Sequence, residues 1–121
     1  MAKIEAIKEN HLFSKVYAKG KKSSEKNIVV YALRNFRTSQ TRFGITVSKK
    51  LGNAVVRSRA RRLIREAFRS IIKEHSFQKP YLIVVVARSS ITDSKRKMGE
   101  VLFDMEKAFS DLELFSEEKV L

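Results

Sequence analysis

Residues Phe43 to Arg69 read FGITVSKKLGNAVVRSRARRLIREAFR, and the rest of the chain is organised around this stretch. It opens with strand-like Ile45-Thr46-Val47, turns through Ser48-Lys49-Lys50-Leu51-Gly52-Asn53, and then predicts a helix with two unlike faces. At about 100° per residue with Arg57 as zero, Val56, Ala60, Leu63, Ile64, Ala67 and Ile71 fall between roughly 240° and 340°, and Phe68 lies near 20°. Arg57, Arg61, Arg65, Arg69, Arg62 and Arg59 fill the arc from zero to roughly 200°. One side suits packing on a sheet, and the other turns six guanidinium groups outward.

Arginine stays charged in proteins, and its planar fork matches phosphate oxygens. Like charges four residues apart cost a few tenths of a kcal/mol per pair. Arg57/Arg61, Arg61/Arg65 and Arg65/Arg69 are such pairs, and Glu66 is the sole acid within the run. A helix built only for stability would alternate Glu with these arginines. A charge run is ordinarily a solvated face, but the density here, held against its own repulsion, favours a polyanion site.

Composition narrows the partner. The chain of 121 residues suffices for one domain that buries about two-thirds of its unfolded surface. It has no cysteine, which excludes a disulfide framework and a thiolate zinc site. No apolar run approaches the ~18 residues of a membrane span; the longest, Tyr81 to Ala87, has strand length. The start, Met1-Ala2-Lys3-Ile4-Glu5, lacks the apolar centre of a signal peptide, so a cytoplasmic protein is expected. The net charge is +13, unevenly placed: residues 1–99 hold 24 Lys and Arg against 6 acids, whereas residues 100–121 hold 2 against 7. A cationic body asks for nucleic acid or an anionic membrane. The apolar side of the Arg-rich helix is needed by the core, and no other basic amphipathic helix is left for a membrane surface.

Along the chain, Asn10 is a plausible helix N-cap and Gly20 a plausible residue just past its end. Between them Leu12, Phe13, Val16 and Tyr17 follow helical spacing. Leu12 and Val16 read as core; Phe13 and Tyr17, one turn apart, suit core or an open binding face equally. Residues 20–27, GKKSSEKN, are a loop or a short edge strand blunted by lysines. Residues 28–33 read as a strand, 34–41 as a polar turn and 42–48 as the returning strand, which predicts an antiparallel hairpin. Tyr31 on the first of these is either a packed strand residue or an aromatic on the sheet's open face. Gly52 and Asn53 suit a tight turn, and the helix start beside Lys49 and Lys50 favours anions, without the repeated glycines of a nucleotide-binding loop. The Arg-rich helix is expected to end near His75, with Pro80 preventing continuation. The run 81–87, apolar on both alternations, predicts a central strand. A last helix is expected to be capped within 92–94 and to bury Met98, Val101, Leu102, Met105, Phe109 and Leu112, with Glu100, Asp104, Glu106 and Asp111 on an acidic outer face. The tail 113–121 is expected to fray. The expectation is therefore a single RNA-binding domain over 1–121, ordered over about 5–112, of α+β class in the order α-β-β-β-α-β-α.

Bond-breaking groups are not evident. His11 and His75 stand alone, the acids gather near the C-terminus, and no serine lies in a nucleophile elbow. No catalytic residue and no metal ligand is assigned on this chain.

The string SKKLGNAVVRSRARRLIREAFR, residues 48–69, resembles the signature of the bacterial ribonuclease P protein component: a Ser-Lys-Lys strand end, a Gly-Asn-Ala turn and a helix beginning Arg-Asn-Arg. It departs at Ser58, where the family has Asn, so one hydroxyl replaces a two-ended amide. The likeness is specific over 42–69 and extends by element order over about 5–112. It implies a mixed sheet with a left-handed β-α-β crossover, a rarity whose hand nothing in the pattern itself reveals. It implies that Lys49, Lys50, Asn53, Arg57, Ser58, Arg59, Arg61, Arg62 and Arg65 bind a catalytic RNA. Phe13, Tyr17, Tyr31, Arg42 and Ser48 would border a cleft for the single-stranded 5′ leader of precursor tRNA, where stacking accepts any base. The RNA would perform the hydrolysis with magnesium that it mainly holds itself, in the bacterial cytoplasm, with no obligate protein partner. Two other readings stand beside this one: a structural RNA-binding protein of ribosomal type, and, more weakly, a metal nuclease acting alone.

Overall fold

A computed structural model, in which residues 4–119 are described, places the apolar run where its pattern requires, in the middle of a sheet. In chain order the elements are β1 (Glu5–Ala6), α1 (Asn10–Lys19), β2 (Lys21–Ser24), β3 (Ile28–Arg34), β4 (Arg42–Thr46), α2 (Ala54–Glu74), β5 (His75–Phe77), β6 (Tyr81–Ala87), α3 (Met98–Asp111) and β7 (Phe115–Lys119). Short 3-10 turns at Lys49–Leu51 and Ser89–Thr92 precede α2 and α3. The class is α+β, with the strand order β1-β4-β6-β3-β2 in the main sheet.

The hairpin expected between β3 and β4 does not form. Strand β6 lies between them, antiparallel to β3 (Val30 opposite Val85) and parallel to β4 (Ile45 opposite Val85). The reason is burial: Leu82, Ile83, Val84 and Val85 are all buried, and only a strand flanked on both edges and covered on both faces hides both alternations. The polar turn is instead held by Asn35, whose amide donates to the Gln40 carbonyl at 2.8 Å and to Thr38 Oγ1 at 2.9 Å. The antiparallel hairpin is β2–β3, so the lysine-rich segment is the edge strand. Strands β4 and β6, joined through α2, make the β-α-β crossover.

Two layers close on the sheet. Ile28, Val30, Ala32, Ile83, Val85 and Ala87 face α2 and α3. There the predicted apolar stripe, Ala60, Leu63, Ile64, Ala67, Phe68 and Ile71, is buried throughout. Phe68 stacks flat on Phe43 with ring centroids 3.7 Å apart and meets Phe109 of α3 edge-on at 6.3 Å. Truncating a buried leucine such as Leu63 in this layer costs about 2–5 kcal/mol. The opposite face buries Val84, Leu82 and Ile7 beneath Val16 of α1.

Four further expectations are corrected. Helix α1 is capped at Glu9, with Asn10 already helical, and Gly20 is extended: a side chain there would meet the Val16 and Ala32 carbonyl oxygens at 2.6 and 2.9 Å. Helix α3 begins at Met98, after the predicted cap, with the Lys97 N–H donating to the Glu100 carboxylate at 3.2 Å. Asp104 is not on an acidic outer face: it is buried, and one of its oxygens accepts from both the backbone N–H and the side-chain amide of Asn27 at 2.9 Å. The tail from Glu113 turns into β7, which pairs with β5 and brings in buried Leu114, while Val120 and Leu121 lie outside the described residues. His75 stacks on Phe115 at 4.1 Å, a packing role, while His11 is exposed.

Candidate nucleic-acid interface

Helix α2 starts at a built corner. Asn53 caps it by accepting the Val56 N–H at 3.0 Å, and Gly52 precedes it with φ +147°, where a side chain would also strike Val56 at 2.9 Å. Ser48 Oγ accepts the Lys50 N–H at 3.2 Å and so starts the turn that carries Lys49 and Lys50, both exposed, between the end of β4 and the start of α2.

The burial of the arginines follows their angular position. Arg62, Arg65 and Arg69, at the middle of the basic arc, are exposed, and Arg57 and Arg61, next to the apolar edge, are half-buried. Arg57 Nε donates to the Gly52 carbonyl at 3.2 Å. Among the described residues four ion pairs form: Arg42–Glu9, Arg96–Asp93, Arg96–Glu100 and Lys107–Glu25. None involves α2, so Arg61, Arg62, Arg65 and Arg69 meet no described acid. Ser58 is exposed on the same helix. Arg59 differs from the expectation: its guanidinium donates to the Asp93 carbonyl at 3.1 Å, the Ser94 carbonyl at 3.4 Å and the Arg96 carbonyl. At roughly 200° it sits beside Leu63 at roughly 240° on the wheel, the one sequence signal that it would turn down towards a neighbouring segment.

On the other face of the sheet, α1 covers one half and leaves the other open. Phe13 lies on Gly44, where any side chain would strike its ring at 2.8 Å. Tyr17 is 38% exposed, its hydroxyl hydrogen-bonded with Thr46 Oγ1 at 2.6 Å and its ring edge-to-face with Tyr31 at 5.1 Å. Phe13 and Tyr17 are 6.5 Å apart. The three aromatics predicted for a cleft are thus brought together. Thr46, Val29 and Val86, two residues beyond Gly44, Tyr31 and Val84 on their strands, continue this face, and the alternation of each strand was the available signal for them.

Arg42 is not in this open half. It lies where β1 joins β4, its guanidinium donating to both Glu9 oxygens at 2.8 and 3.0 Å and to the Ala6 carbonyl at 2.8 Å. Its hydrogen bonds hold the Glu9 carboxyl down to about 2. Arg42 therefore anchors the entry to α1. A loop aromatic that sequence reasoning passed over, Phe36, is 83% exposed and lies 4.8 Å from the Arg34 guanidinium.

Chemically this arrangement offers cations paired with no described acid, which suit a polyanion, and aromatic rings that suit stacking. Among the described residues no group of three or more His, Asp or Glu side chains is placed to hold a metal ion, and no helix is long and apolar enough to cross a membrane.

Known proteins share this fold. The family model described as Ribonuclease P matches residues 1–113. The ribonuclease P protein component of Clostridioides difficile is 41% identical over 106 residues, which cover 88% of this chain and 86% of that protein. The structure of the Staphylococcus aureus RNase P protein superposes with a TM-score of 0.80 at 33% identity, covering 94% of this chain and 100% of the other. That of the Thermotoga maritima RNase P protein does so with a TM-score of 0.73 at 25% identity, over 85% of this chain and 93% of the other. With the matched family model spanning nearly the whole fold and a relative 41% identical over most of the chain, the chain belongs to the bacterial ribonuclease P protein family.

Proposed function

We propose that this chain is the protein subunit of a ribonuclease P ribonucleoprotein, which cleaves precursor tRNA to create the mature 5′ end. The observation that carries this reading is the row Arg61, Arg62, Arg65 and Arg69, presented from a rigid helix and paired with no described acid. This row, with Lys49, Lys50 and Arg57, docks the catalytic RNA by neutralising phosphates. The Phe13–Tyr17–Tyr31 cleft takes the 5′ leader, whose bases stack on the ring faces at about 1–3 kcal/mol each. Hydrolysis belongs to the RNA, together with magnesium held by the RNA; this chain offers cations and shape. By neutralising phosphates it lowers the magnesium that assembly needs, and by holding the leader it positions the substrate. The partners are thus the catalytic RNA and precursor tRNA, in the bacterial cytoplasm. Membership of the ribonuclease P protein family supports this reading over the ribosomal one.

The test is to add purified protein to a bacterial ribonuclease P RNA at low magnesium and follow release of the 5′ leader. Faster cleavage is expected; no gain in cleavage rate, or cleavage by the protein freed of RNA, would overturn the assignment of roles.

A further inference from the structure

The fork of Arg59 takes three carbonyl oxygens of one short strap, Asp93-Ser94-Lys95-Arg96-Lys97, which precedes α3. Beneath the strap, Arg96 is buried; its Nε donates to the Ser90 carbonyl at 3.2 Å. The same guanidinium pairs with the Glu100 carboxylate and lies 4.0 Å from that of Asp93, so both local acids are already neutralised. Those two carboxylates also accept the backbone N–H groups of Lys95, at 2.9 Å from Asp93, and Lys97, at 3.2 Å from Glu100. Every residue of the strap is thus held through its backbone, residues 93, 94 and 96 by their carbonyls and residues 95 and 97 by their N–H groups. Its two lysines point away: both are exposed, and neither side chain meets a described acid.

The geometry therefore divides labour between Arg59 and the strap. We propose that Lys95 and Lys97 form a phosphate-binding extension of the α2 surface, joined to it at Arg59, for the sugar-phosphate backbone of the catalytic RNA, and that Arg59 is a positioning residue that holds this extension in place. The proposal rests on the ribonucleoprotein reading above. An RNA backbone is the occupant because the strap adds two unneutralised cations to a row of unneutralised cations and contributes no apolar anchor of the kind a protein partner uses. Arginine suits the clamp because its planar fork carries five donors, whereas a lysine at this position would keep the charge and lose the multiple, coplanar bonds.

A double-mutant cycle separates this role from direct contact. The full-length protein, Arg59→Ala, the pair Lys95→Ala/Lys97→Ala, and all three substitutions together are titrated against a bacterial ribonuclease P RNA from 0.1 to 0.5 M KCl, with thermal unfolding recorded for each. At about 0.8 units of log–log salt slope per phosphate contact, losing the lysine pair flattens the slope by about 1.6 and weakens binding about 40-fold at 0.1 M. Arg59→Ala alone also weakens binding, but added to the lysine pair it changes affinity less than about twofold. An unchanged slope for the lysine pair, which is exposed and leaves the fold intact, would remove the strap from the interface. A further loss of about tenfold from Arg59→Ala in the lysine-free background would make Arg59 an RNA contact. Failure of the parent protein to bind the RNA in a salt-dependent way would instead sink the ribonucleoprotein reading itself.

Discussion

Replacing Arg61 and Arg65 by glutamine separates what the basic face does for the fold from what it does for RNA. Neither side chain meets a described acid, so no ion pair is lost. The three like-charge pairs Arg57/Arg61, Arg61/Arg65 and Arg65/Arg69 all disappear, each worth a few tenths of a kcal/mol, so the free protein gains about 0.5–1 kcal/mol. RNA binding moves the other way. Two phosphate contacts, each contributing about 0.8 to the log–log salt slope, amount to about 40-fold in affinity at 0.1 M monovalent salt and about threefold at 0.5 M. Urea unfolding of the free protein and titration of a bacterial ribonuclease P RNA over that salt range measure both arms. A destabilised variant would mean that the guanidinium groups make intramolecular contacts. A variant with the parental salt slope would place the RNA surface elsewhere, and either result refutes the argument.

Tyr17→Ala removes a stacking ring and the hydrogen bond to Thr46, so binding of precursor tRNA by the assembled ribonucleoprotein falls by about 1–3 kcal/mol when a 5′ leader is present and stays unchanged for mature tRNA; an equal loss for both would exclude the cleft as the leader site. Glu9 titrates near 2 when folded against 4.5 for the free group, a depressed value, so its contribution to stability is present above 4.5 and is lost as the pH falls to about 2. Glu9→Gln should therefore melt lower than the parent at pH 6, and the gap should narrow as the pH falls from 4.5 through 2; a gap as wide at pH 2 as at pH 6 would show that proton linkage is not its origin. Asp104→Ala leaves two Asn27 N–H groups without their acceptor inside the protein and should cost about 2–4 kcal/mol in urea unfolding; a loss below about 0.5 kcal/mol would mean water restores the bonds.

What local sequence determined is what periodicity encodes. The angular separation of Leu63, Ile64, Ala67 and Phe68 from Arg62, Arg65 and Arg69 settles which face of α2 is buried and which is basic, because every residue on a helix has a fixed bearing. The apolar run on both alternations settles that β6 is central. Tertiary structure decided the rest. No local signal says that β6 pairs with both β3 and β4 in place of the hairpin, since pairing partners are chosen by the burial of whole strands across long separations. Asp104 turns inward because Asn27, 77 residues away, supplies two donors for it. Arg42 and Arg59 bond to Glu9 and to the carbonyls of residues 93, 94 and 96, partners that only the fold brings within reach of a long side chain at the edge of its element.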